Sequence, residues 1–106
     1  MSTMNEATFA VVWPQSIAGT EPGTPAARLD TLNGATVAFL WDYVFRGDEL
    51  FPVLADELRR RFPTIEIVDY DVIGNTHGHD EDEVIARLGD ELHRRHVDAV
   101  VSAMGC

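Results

Sequence analysis

Three short apolar runs separated by two helix-like stretches constrain this chain more than any other feature. The runs are residues 35–41, 65–70 and 97–103. They are rich in Val, Ile, Phe and Trp, which suit a pleated surface. The first and third are nearly continuous rather than alternating, the mark of strands covered on both faces of a parallel sheet. Between the first two runs, Leu50, Val53, Leu54 and Leu58 recur at helical spacing. Asp48 is the expected N-cap, with Glu49 in an acidic first turn. Pro52 is tolerated near a helix start. Arg59, Arg60 and Arg61 complement the helix C-terminus, and Pro63 stops it. Between the second and third runs, Val84, Ile85, Leu88 and Leu92 form a second apolar stripe. Asp80 or Asp82 is its expected cap, and His93 to His96 close it. Residues 71–73 either continue the second strand or leave it.

The alternation β-α-β-α-β predicts an α/β fold with a mainly parallel sheet and right-handed crossovers. Three strands and two helices make half of a three-layer, doubly wound domain. The apolar last strand calls for another strand beside it. We therefore expect a partner chain, a second polypeptide, to complete the sheet, or a longer protein of which this is the front part. Residues 1–28 read as an N-terminal arm, and 29–106 as the α/β half-domain. The arm holds a β-prone run, Phe9 to Trp13, stopped by Pro14. The stretch 15–28 follows, punctuated by Gly19, Pro22, Gly23 and Pro25. Phe9 and Trp13 are the residues that would anchor the arm on a partner. Asn33-Gly34 marks the turn before the first strand.

Charge excludes several function classes. The chain has 106 residues and a formal net charge of −10. Such a chain repels phosphate backbones and anionic lipid, so neither nucleic acid nor membrane is an expected partner. All 8 basic residues are arginine, so no lysine can form a Schiff base or serve a phosphate loop. No apolar run approaches the ~20 residues of a membrane span. The first residues lack a basic segment followed by an apolar block, and a single cysteine makes no internal disulfide. These point to the cytoplasm. No dinucleotide fingerprint is present.

In parallel sheets, ligands bind beyond the carboxyl ends of the strands. Those ends carry Asp42, Tyr43 and Arg46 after the first run. Asn75, Thr76, His77 and His79 follow the second, and Ser102, Gly105 and Cys106 the third. A cysteine with a histidine nearby is the minimum for a thiolate nucleophile, because imidazolium stabilises thiolate. Cys106 is accordingly the candidate nucleophile or redox thiol; otherwise it is a small buried hydrophobe. His77 and His79 are candidates for proton transfer. With Asp80 they also have the spacing of a metal clip, but the acidic residues there are explained as helix caps, and no metal or other cofactor is expected. Arg46 could hold a substrate carboxylate in bidentate fashion, or pair with Asp42 or Asp48. Asp42, Tyr43, Asn75, Thr76, Ser102 and Gly105 would line a site for a small polar substrate.

The stretch Leu29-Asp30-Thr31-Leu32-Asn33-Gly34-Ala35-Thr36-Val37 resembles the Leu-x-x-Leu-x-Gly-x-x-Val opening of the UGSC-like family of proteins and selenoproteins, which follows a Pro-rich arm. The helical stretch 51–61 with Phe62-Pro63 is similar to that family's next element. Asp98-Ala99-Val100-Val101-Ser102-Ala103-Met104-Gly105 resembles the strand that leads into its Cys/Sec-Gly-Ser-Cys motif. The likeness covers roughly residues 22–106. It implies thiol or selenol chemistry, with Cys106 as the first residue of the motif or the one before it. It also implies that this chain is the N-terminal half of such an enzyme, with the remaining motif residues on another chain. The expected function is therefore a small subunit or processed fragment of a heteromeric cysteine-dependent enzyme. It would work on a small polar metabolite, by thiol redox or covalent nucleophilic chemistry. An acid–base hydratase or lyase subunit, a non-catalytic structural subunit and a metal-binding protein are the alternatives.

Overall fold

A computed structural model describes residues 6–16 and 19–104. The elements run β1 (Thr36–Trp41), α1 (Gly47–Arg61), β2 (Glu66–Val68), α2 (Tyr70–Ile73), α3 (Glu81–Arg94) and β3 (Ala99–Ala103). The three strands form one parallel sheet in the order β2-β1-β3. This is an α/β fold, as the alternation of apolar runs and helical stripes predicts.

The core follows from the period of two along β1. Val37, Phe39 and Trp41 point to one face, where they meet Phe51 and Ala55 of α1. Leu40 points to the other and packs with Ile73 of α2 and Val84 of α3. Each crossover helix thus covers a different face, giving three layers. Opposite faces are what right-handed crossovers require when the chain steps from β1 to β2 and then back past β1 to β3. Asp98 ties the lower ends of β1 and β3 together. Its carboxylate accepts from the Thr36 N–H at 2.9 Å, and its own N–H donates to the Thr36 carbonyl at 2.8 Å.

Several local details differ from expectation. The second strand is only three residues long and does not run on to Tyr70. Asp69 accepts a hydrogen bond from the Tyr70 N–H at 2.8 Å and starts the short α2. Gly74, at φ 103°, ends it. Helix α1 begins one residue before Asp48, with Arg46 at the N-cap and no side-chain cap bond. Asp48 and Glu49 act only as first-turn charge. Asp80 occupies the N-cap of α3, also without a side-chain bond. Pro52 lies in the second turn of α1; the bond it forgoes is the one to the Asp48 carbonyl. Phe9, Val11, Val12 and Trp13 are largely exposed, so the described arm is not docked on its own domain. Among the described residues, no helix is long and apolar enough to cross a membrane.

The arginines at the end of α1 do more than complement its dipole. Arg60 and Arg61 bond to Glu57 at 2.6 Å and 2.8 Å. These hydrogen bonds, that from Arg60 first, lower the Glu57 carboxyl from 4.5 to about 2. A depressed carboxyl adds stability above its unfolded value and loses it as pH falls through its folded value. Glu57→Gln should therefore be less stable than wild type at neutral pH. The gap should close between pH 4.5 and about 2, as read by urea denaturation at each pH. The pair is exposed, so the gap should be small and should shrink with salt.

Candidate functional site

The strand order reverses at β1. From β1 the chain goes to β2 on one side, then returns to β3 on the other. In open α/β sheets, the crevice beyond the carboxyl ends of the strands at such a reversal is where ligands bind. Here it lies between the end of β1, Trp41, and the end of β3, Ala103, which pair directly.

The loop leaving β1 is held in an unusual conformation. Tyr43 and Phe45 have φ of 60° and 66°, a region that costs non-glycine residues of order 1–3 kcal/mol each. The loop is pinned from within. Asp42 accepts from the Val44 N–H at 3.1 Å, and the Trp41 indole N–H donates to the Val44 carbonyl at 2.9 Å. Tyr43 is thereby laid on Trp41, ring centroids 4.4 Å apart and planes 16° from parallel. Arg46 pairs with Glu49, one helical turn on, rather than with Asp42 or Asp48. Asp42 thus shapes the loop, and Tyr43 presents the exposed surface.

The loop after α2 is tied to the same strand end from the β2 side. Asn75 makes a parallel bridge with Trp41. The Thr76 N–H and hydroxyl both donate to the Trp41 carbonyl at 3.3 Å. The Asn75 side chain turns back to accept the His77 N–H at 2.8 Å. His77 and His79 are exposed. His77 sets its Nδ1 3.2 Å from Glu81 in the first turn of α3. Among the described residues, no three His, Cys, Asp or Glu gather to hold a metal ion.

Ser102 does not sit at the tip of β3. It pairs with Leu40, one residue below the rim on the α3 face, and is exposed there. Gly105 and Cys106 lie outside the described residues. Asn75 and Thr76 thus converge with Asp42 and Tyr43 on the end of β1. His77, His79 and Arg46 are each engaged or exposed apart from it.

Two features escaped the sequence reading. Tyr70 stands edge-on to Trp41 and to Tyr43, at 4.9 Å and 5.7 Å; the Asp69 cap and the Gly74 stop were its signal. The second is an apolar groove of about 360 Å³ between α1 and β3. It is lined by Leu50, Val53, Leu54, Val101, Ala103 and Met104. Beside it, among the described residues, no strand pairs with the outer edge of β3, and Val100 is exposed on the opposite face.

No curated protein and no solved structure matches the chain. A family model does match, that of the UGSC family, over residues 10–106. That span takes in residues before β1, all six elements from β1 to β3, and the cysteine after β3. The chain therefore belongs to the UGSC family.

Proposed function

We propose that the crevice between β1 and β3 is one wall of a cysteine-dependent active site acting on a small polar metabolite in the cytoplasm. Cys106 follows β3 by three residues and is the nucleophile or redox thiol in this reading. The observation that carries it is the reversal of strand order at β1, which puts the sequence leading to Cys106 beside the strained loop 42–46. Strained, over-determined loops at a switch point are where open α/β sheets build sites. Asp42 and Tyr43 shape the substrate side of the wall, and Asn75 and Thr76 brace it. His77, oriented by Glu81, or His79 serves as proton carrier.

The chain acts as a subunit in this proposal. Among the described residues the outer edge of β3 has no strand beside it, and that edge with the adjoining apolar groove supports a second polypeptide that extends the sheet. The same groove favours one other reading, a structural subunit whose cysteine only packs at the interface.

Alkylation of the native protein with iodoacetamide across pH separates the two. A catalytic Cys106 is expected to react as thiolate, its rate levelling off well below the ~8.5 of a free thiol. An inert thiol, or one that follows the free-thiol profile, would overturn the proposal. Native mass measurement of the same material should show a second polypeptide, and a lone chain would refute the subunit reading.

A further inference from the structure

We propose that the aromatic group Trp41–Tyr43–Tyr70, rimmed by Asp48, Asp69 and Asp71, is a binding shelf for an organic ammonium ion. Tyr43 stacks on Trp41 and is still 42% exposed, so part of the residue remains accessible to a ligand. Tyr70 stands edge-on to both rings, at interplanar angles of 77° and 87°. An aromatic face carries the negative side of the ring quadrupole and attracts cations. Tyr43 holds this position at φ 60°, so the chain accepts backbone strain to present the ring.

The charges around the shelf agree in sign. Both tyrosine hydroxyls are raised from their ordinary value, first by desolvation and then by neighbouring negative charge. Asp69 and Asp71 act on both of them, and Asp48 on Tyr70. None of these three carboxylates is in an ion pair among the described residues. Arg46, the cation of this loop, is occupied by Glu49. An anionic substrate would find no partner here, and a cation would find both ring and carboxylate. A metal ion is less suited than an alkylammonium, because ring faces offer no lone pairs to coordinate it, whereas methyl groups cover them well.

The shelf lies on the wall assigned above to the substrate, and its test does not read Cys106, so failure of the thiol reading and failure of the shelf are told apart. The native protein would be titrated with tetramethylammonium chloride, with sodium chloride and sodium acetate at equal ionic strength as controls. The indole N–H of Trp41 would be followed by NMR. A saturable shift specific to tetramethylammonium is expected. Tyr43→Phe should keep it, since the ring face and not the hydroxyl binds. Tyr43→Leu should weaken it by at least about threefold, with its fold checked by circular dichroism. Asp71→Asn should weaken it by about twofold, less at high salt. An equal response to sodium, saturation by acetate, or unchanged binding in Tyr43→Leu would each overturn the proposal.

Discussion

Phe39→Ala is expected to remove most of the stability of this chain, by about 3–5 kcal/mol. Phe39 is fully buried in the central strand. Its ring lies 4.8 Å from that of Phe51, so it joins β1 to α1 at the middle of the larger core cluster. The cavity cannot collapse easily, because β1 is held by parallel strands on both sides. Small domains have only about 5–15 kcal/mol in total. The expected result is a denaturant midpoint lowered so far that a folded baseline is hard to reach. Val53→Ala is the matched control. Val53 is 66% exposed at the mouth of the groove beside α1 and should cost no more than about 0.5 kcal/mol. If the two variants unfold alike, the assignment of the core is wrong. Should Val53→Ala cost far more than expected, the groove beside it is covered in the native assembly. The control therefore also reads on the proposed partner.

The alternation of runs and stripes made the fold class legible, and the physical reason is simple. A parallel sheet covered on both faces leaves continuous apolar strands, and its crossovers leave amphipathic helices. The strand order was not legible. A right-handed crossover can step to either side of a strand, and β-α-β-α-β is compatible with β1 in the middle or at the edge. That choice is what creates the crevice between β1 and β3, so the most informative feature of the candidate site lies beyond the pattern. Ser102 shows the cost. Counting residues from the end of the run puts it at the rim, while register with Leu40 sets it one residue lower on the α3 face. Ile65 to Tyr70 is a β-prone run, so apolar content alone carries the strand on to Tyr70. The side chain of Asp69 wins locally by capping Tyr70, a competition between side chain and ladder that apolar content does not register. Arg46 was open to several partners by sequence, and Glu49 at i+3 on the emerging helix takes it.

Gly47→Ala is the second large effect, and it goes against helix propensity. Alanine is favoured over glycine in helices by about 1 kcal/mol, so propensity alone predicts a gain. At Gly47, a Cβ would stand 2.3 Å from Cε2 of Trp41 and 2.5 Å from its Nε1. Those atoms belong to a rigid indole that is itself buried against Phe51 and Tyr70. The ring must move, and in moving it gives up its bond to the Val44 carbonyl and its stack on Tyr43. Overpacking and a lost hydrogen bond together should cost about 2–4 kcal/mol. Gly89→Ala supplies the contrast. Gly89 lies in α3 with nothing within 4 Å of an added Cβ, and there propensity should win, raising stability by about 0.5–1 kcal/mol. The two glycine-to-alanine changes are thus expected to have opposite signs in urea denaturation. Trp41 fluorescence, read in a Trp13→Phe background, should shift to the red in Gly47→Ala and stay unchanged in Gly89→Ala. The same displacement should abolish the tetramethylammonium response, because the shelf exists only while the indole holds Tyr43 in place. Equal signs for the two glycines would mean that Trp41 does not occupy the space beside α1, and the loop 42–46 would then lack the anchor that shapes it.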